Sequence, residues 1–198
     1  MIVASVFGGL VFIITAYPRV NSWLNGKGAV QQVVQLGDAT VVQVQSKKAL
    51  RTYPGCYYYI IPSAFSIAAN TPHLVYHWEK IDTGVEAYTT TTTTSDIFLL
   101  VQDSPEWIKQ KVQVLLDGPY GYNARPEKYE TVVLVAQGRG IAGVLPAASH
   151  IARISRRSRI TRRIDLQWKL DQNDDEEWAE ERLQTLIHLD PHRVRNDT

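Results

Sequence analysis

Apolar and polar positions divide the chain into a β-rich first part and a mixed α/β second part. Residues 39–46 (Ala-Thr-Val-Val-Gln-Val-Gln-Ser) are β-branched and partly alternating, which predicts a strand. A polar Lys-Lys-Ala-Leu-Arg turn is expected next, then Tyr53-Pro54-Gly55-Cys56 and an aromatic strand over residues 57–61. Residues 97–101 and 112–116 read as further strands, and the threonine run 89–94 reads as a loop or hairpin tip. Short strands with turn signals about every ten residues predict an antiparallel barrel or sandwich.

The pattern changes after residue 121. The apolar run 131–136 leads directly into Gln-Gly-Arg-Gly-Ile-Ala-Gly-Val-Leu-Pro, a buried strand ending in a glycine-rich turn that opens a helix. Such a turn brings backbone amides up to a pyrophosphate, because glycine removes side chains and the helix N-terminus offers unpaired N–H groups. Gly138, Gly140 and Gly143 are the candidates, and glycine used only for steric reasons is the alternative. The helix is expected over 142–154, with Pro146 placing its start near Val144 or Leu145. Residues 163–170 alternate as a strand with Ile164, Leu166 and Trp168 on one side. A helix from Asp174 carries the stripe Ala179, Leu183, Leu186 and Ile187.

Residues 1–16 are apolar apart from Ser5 and Thr15, and no basic segment precedes them. A short membrane helix, a buried or interfacial helix and a signal sequence all fit this stretch. Residues 17–29 read as a connector.

The 198 residues leave room for one ordinary domain or two small ones, and the 44% hydrophobic content is that of a globular protein. A net charge of +1 argues against a nucleic-acid partner. The single cysteine, Cys56, excludes an internal disulfide or a multi-cysteine metal site. His73 and His77 would need a helix to share a metal, and their surroundings read as strand, so no metal site is expected.

Two motifs carry a resemblance. The Gly-Pro-Tyr-Gly of residues 118–121, followed by the Gly-x-Gly-Ile-Ala-Gly-x-Leu-Pro of residues 138–146, resembles the flavin and nicotinamide module of the ferredoxin-reductase superfamily. Within it, the likeness is to the fungal ferric reductases and NADPH oxidases. The Pro54-Gly55-Cys56-Tyr57-Tyr58-Tyr59 segment is similar to the family's Pro-Gly-Gln-Tyr-x-Tyr strand, with Cys56 in place of Gln. Residues 71–78 are similar to its His-Pro-Phe segment, with Thr71 and His73 at the His and Phe positions. Residues 162–168 resemble its Arg-Arg-Ile-x-Leu-x-Trp segment.

The resemblance implies an α+β two-part module: an apolar helix over 1–24, an FAD-binding antiparallel β-barrel over 25–121, and an incomplete α/β NADP-binding domain over 127–198. It implies FAD lined by Tyr57, Tyr59, Pro72, His77 and Trp78, and an NADPH pyrophosphate cradled by Gly138, Gly140, Gly143 and Pro146. Arg139, between two of these glycines, would clamp phosphate or block it. Between strands the family has a Gly-Phe-Thr turn, where this chain has residues 105–109 starting a helix, with Lys109 or Lys111 available for phosphate. Arg153, Arg156, Arg157, Arg159, Arg162 and Arg163 would bind the NADPH 2′-phosphate, form a solvated loop, or face anionic lipid.

The implied activity is that of a ferric-chelate reductase passing electrons from NADPH through FAD towards haem and ferric iron at the plasma membrane. A haem-bearing membrane partner would be needed, since the family's paired haem histidines are absent here. The alternatives are a superoxide-producing NADPH oxidase and a truncated, non-catalytic scaffold, the latter because the family's C-terminal Cys-Gly-Pro-Pro turn is also missing.

Overall fold

The computed structural model describes residues 26–36, 39–61, 72–78, 92–102, 108, 112–158, 160–171, 176–177 and 179–189. Six strands form the first part: β1 (Lys27–Leu36), β2 (Ala39–Thr52), β3 (Tyr57–Ile61), β4 (Pro72–Trp78), β5 (Thr92–Gln102) and β6 (Gln113–Tyr120). They close into an antiparallel barrel in the order β1-β2-β5-β4-β3-β6, with β6 returning to β1 through Lys27↔Leu115 and Gly28↔Val114. Closure leaves no sheet edge, and alternation sends one face of every strand inward. The interior is filled by Val30, Val42, Val44, Tyr58, Ile60, Val75, Ile97, Leu99, Val101, Val114 and Leu116. Tyr58 is buried yet satisfied, because its hydroxyl donates to the Arg51 carbonyl at 2.7 Å.

The second part is a βαβ unit. Strand β7 (Thr131–Gln137) runs through a 3₁₀ turn (Gly138–Gly140) into helix α1 (Ile141–Ser158), then β8 (Arg163–Lys169) and helix α2 (Glu180–Leu189). β7 and β8 pair in parallel, with Thr131↔Arg163 at one end and Gln137↔Lys169 at the other. Ala148, Ile151 and Ala152 of α1 cover Val132 and Ile164 of this sheet. Ile141, Ala142 and Leu145, one face of the first turns of α1, pack with Ala39, Val41 and Tyr76 on the outside of the barrel. The two parts therefore share a hydrophobic seam, and a barrel strand reads as buried on both faces where the helix covers it.

Several sequence expectations are corrected. Strand β1 was not predicted, and residues 47–51 continue β2 rather than turning, with a register irregularity between Gln45 and Leu50 absorbing the charged stretch. Thr92–Thr94 belong to β5 and pair with the end of β2, where Thr94 is buried. The Gly-Pro-Tyr segment is the end of β6. Helix α1 starts at Ile141, ahead of the expected Val144 or Leu145, because the 3₁₀ turn already sets helical backbone: the Ile141 N–H bonds back to the Gly138 carbonyl. Pro146 thus sits inside α1, at the cost of the one N–H bond it cannot make to Ala142. Helix α2 spans Glu180–Leu189, and Asp174, its expected start, lies outside the described residues. The apolar segment 1–24, Thr71, the expected helix start at residues 105–107, Lys109, Lys111 and Arg159 lie outside the described residues. Among the described residues no helix is long and apolar enough to cross a membrane.

Candidate functional site

The outer surface of the barrel carries a tyrosine platform. Alternation in β3 sends Tyr58 and Ile60 inward and leaves Tyr57 and Tyr59 outward. Across the β3–β6 ladder, Tyr57 pairs with Tyr120 and Tyr59 with Asp117. The three rings form a triangle, with centroids 5.8 Å apart for Tyr57–Tyr59, 5.8 Å for Tyr57–Tyr120 and 5.7 Å for Tyr59–Tyr120. These spacings are those of favourable aromatic pairs. Tyr120 donates its hydroxyl hydrogen to Asp117 at 2.9 Å. Partial burial and the neighbouring carboxylate push the Tyr120 hydroxyl up to about 12, so it remains protonated. Pro72 is exposed beside Tyr59, its partner in β4. Sequence reasoning did not single out Tyr120 as a site residue, although its place in Gly-Pro-Tyr-Gly was the available signal.

The other expected flavin residues lie elsewhere. Trp78 packs against the barrel interior, because a register irregularity between Val75 and His77 shifts the alternation of β4 by one residue. His77 lies against Phe98, its ring tilted at 43° with centroids 5.3 Å apart, and burial together with Arg182 and Arg153 lowers its pKa to about 4. Both belong to packing rather than to the platform. Cys56 is fully buried, its thiol pushed up to about 11 by burial, and its Sγ accepts the Tyr53 N–H at 3.5 Å.

The glycine turn gives three glycines three different surroundings. Gly138 has a left-handed φ of 46°, and a β-carbon there would collide with the Asp171 carboxylate. Its carbonyl accepts the Trp168 indole N–H at 2.9 Å, which ties the turn to β8. Gly140 has open space where a side chain would be: nothing lies within 4 Å. It is the one position of the three at which a ligand can approach bare main chain. Gly143 faces the barrel, where a β-carbon would lie 3.4 Å from Leu74, so it serves the docking of α1 on β4. Pro146 is buried in the second turn of α1, away from the turn itself. Of the expected cradle, Gly138 and Gly140 sit together at the carboxyl end of β7; Gly143 and Pro146 are packing residues of the helix.

The platform and the turn are neighbours. Leu74, which touches the Gly143 position, is the β4 partner of Tyr57. One strand therefore separates the tyrosines from the first turn of α1. A cavity of about 660 Å³ opens elsewhere, between Val34, Val41 and Phe98 of the barrel and Glu181 and His188 of α2, and none of the platform or turn residues lines it.

The arginine segment lies at the opposite end of the βαβ unit. Arg162 contacts Glu130 at 3.4 Å, and Arg163 contacts Asp165 at 2.8 Å, level with the start of β7. With about 3.3 Å per strand residue, that is roughly 20 Å from the glycine turn. Arg153 lies about 18 Å along α1 from its N-terminus at 1.5 Å per residue. These three side chains cannot clamp a phosphate seated on the turn.

Comparison with known proteins agrees with this architecture. Residues 129–197 match the family described as Ferric reductase NAD binding domain. No curated protein sequence matches the chain. Among solved structures, ferredoxin-NADP+ reductase from Plasmodium falciparum superposes with a TM-score of 0.62 at 13% identity, covering 86% of this chain and 68% of that one. The CS-b5R domains of human Ncb5or, in the NAD+ form, superpose with a TM-score of 0.63 at 16% identity over 85% of this chain and 49% of that one. The Amycolatopsis cytochrome P450 reductase GcoB does so with 0.63 at 17% identity over 86% and 50%. This chain spans about half the length of the last two. It has the fold shared by these structures, an antiparallel barrel followed by an α/β unit, and it is within that unit that residues 129–197 resemble the ferric reductase NAD-binding domain.

Proposed function

We propose that the protein is a nicotinamide-dependent flavin oxidoreductase module, taking electrons from a reduced dinucleotide at the glycine turn and passing them through a flavin on the tyrosine platform. The observation that carries this reading is the adjacency of the two surfaces across Leu74. Hydride transfer between two bound cofactors is a problem of positioning, and it needs their reactive rings within about 3.5 Å.

The residues present fit both groups. Open space at Gly140 and the positive end of the α1 dipole suit a diphosphate. The flat, half-exposed rings of Tyr57, Tyr59 and Tyr120 suit an isoalloxazine, with Pro72 closing one side. When bound, the cofactors supply the redox chemistry themselves, and no general acid or base of the chain is required. The chain's part is to hold and to shield. Asp117 fixes the orientation of Tyr120, Trp168 fixes Gly138, and the seam between barrel and α1 holds the two surfaces at a set separation.

The finer reading is that of a ferric-chelate reductase at the plasma membrane, delivering electrons through a haem-bearing membrane partner. It rests on the sequence resemblance and on the ferric reductase domain matched over residues 129–197. A non-catalytic scaffold is the second reading, favoured by Trp78 and His77 being packed away from the platform. Titration of the purified protein with FAD, followed by a dye-reduction assay with reduced dinucleotide, separates the two. A retained flavin spectrum and dinucleotide-dependent dye reduction, both weakened roughly fivefold or more in Tyr59→Ala, support the oxidoreductase. Protein that retains no flavin and reduces no dye supports the scaffold.

A further inference from the structure

Strand β7 has one neighbour, β8, and its other edge pairs with no strand among the described residues. Of the two faces of this parallel sheet, α1 covers the one that carries Val132 and Ile164. Val133 and Val135, which alternation sends to the other face, are 55% and 66% exposed. Parallel strands are ordinarily buried on both faces, and two strands alone make a marginal sheet. An open edge of β-branched residues offers its N–H and C=O groups to any strand that can reach it.

The two outer edges of the sheet differ in how they are protected. β8 carries Arg163, Asp165 and Lys169. Antiparallel pairing of β8 with its own copy, centred on Leu166, would set Arg163 opposite the copy's Lys169 at both ends, a like-charge contact that opposes pairing. β7 reads Thr-Val-Val-Leu-Val-Ala-Gln and has no charge, no proline and no bulge. Centred on Leu134, antiparallel pairing of β7 with its copy overlaps all 7 residues of the strand. Val133 then faces the copy's Val135 on the open face, Val132 faces the copy's Ala136 on the covered face, and Leu134 faces itself. The same register brings Glu130, which also contacts Arg162, level with the copy's Gly138 and beside its Arg139, so an acid approaches a base at each end.

We infer that the free edge of β7 is the interface of a twofold dimer of this chain, in which the two βαβ units form one sheet in the order β8-β7-β7-β8. The twofold axis stands perpendicular to the sheet, so α1 of both protomers lies on the same face. Any strand could use the hydrogen bonds of this edge; the matched valines and the matched end charges are what a copy supplies.

Sedimentation equilibrium of the full-length chain across micromolar concentrations tests it. Wild type is expected at twice the 22.4 kDa chain mass. The double variant Val133→Lys/Val135→Lys sets lysine against lysine across the interface and is expected to weaken association by on the order of tenfold to a hundredfold. Both positions are exposed, and circular dichroism checks that the fold is kept. Mixing this variant with Val133→Glu/Val135→Glu is expected to restore a dimer, now a mixed one. The register has its own readout: an equimolar mixture of Val133→Cys and Val135→Cys should form a disulfide-linked dimer on oxidation, and either variant alone should not, the native Cys56 being buried. Monomeric wild type overturns the inference. So does a dimer that survives the double lysine variant, which would place the contact on another surface. Association lost in that variant but not restored by the lysine–glutamate mixture also overturns it, because the edge would then be pairing with something other than the copy's β7.

Discussion

Replacing Gly138 by alanine separates the structural from the ligand-binding duties of the glycine turn. The new β-carbon meets two obstacles. The backbone is held at φ 46°, a left-handed conformation that costs an L-residue about 1–2 kcal/mol relative to glycine. The β-carbon also occupies the place of the Asp171 carboxylate, which must rotate away and give up its 2.8 Å bond from Gln137, an exposed contact contributing about 0.5–1 kcal/mol. Together these predict a destabilisation of about 1.5–3 kcal/mol. Gly140→Ala, with no atom within 4 Å, should stay within about 0.5 kcal/mol of wild type. Gly143→Ala, which gains an ordinary contact with Leu74 inside a helix, should be stabilised by about 0.5–1 kcal/mol. Urea denaturation followed by circular dichroism gives all three midpoints. Measured against Asp171→Ala, which already lacks the Gln137 bond, a Gly138→Ala/Asp171→Ala double variant should lose only the backbone share. Gly138→Ala as stable as wild type, or Gly140→Ala as damaged as Gly138→Ala, would refute the division of roles.

Other expectations follow from buried groups. The folded pKa of His77 is about 4 against an ordinary 6.5, so the unfolded chain binds more protons between these values, and stability falls as pH drops from about 6.5 towards 4. Burial lowers His73 and His150 too, in the same sense. Thermal melts should lose roughly 1–2 kcal/mol over that window after allowance for the solvent that still reaches His77, and His77→Gln should flatten the slope; an unchanged slope in the variant would rule the residue out. Cys56, fully buried with its thiol pushed up to about 11, should react with a thiol reagent at pH 8 at least about a hundredfold slower in the native protein than in urea. Equal rates would mean that the barrel opens there. Trp168→Phe leaves the Gly138 carbonyl without its 2.9 Å donor and should cost about 1–2 kcal/mol in chemical denaturation; no loss would show that the turn does not depend on the indole.

The parts legible in the sequence were those whose signal is local. Alternation marked β2, β3, β5 and β8, and an apolar run ending in glycines marked β7 and the turn. Strand β1 escaped because Gln31, Gln32 and Gln35 dilute its apolar pattern, a consequence of a barrel wall with one face partly in water. Lys47, Lys48 and Arg51 look like a turn by composition, yet they are exposed positions of a strand whose Ser46 and Leu50 point inward. Within the site, the existence of the turn was readable but the duty of each glycine was not. Leu74 and Asp171, which decide those duties, are far from the glycines in sequence and meet them only after the barrel and the βαβ unit have formed. The same holds for the tyrosine triangle, which joins β3 to β6. Arginine content suggested a phosphate clamp, and the parallel topology placed Arg153, Arg162 and Arg163 at the wrong end of the sheet.

The most direct test of the central claim is amide hydrogen exchange with and without NADH. Ligand seated on the turn should slow exchange over residues 138–142 and in the segment leaving β8 around Asp171, while residues 153–163 stay unchanged. Protection confined to the arginine-rich end, or none at the turn under conditions where titration shows binding, would contradict the account.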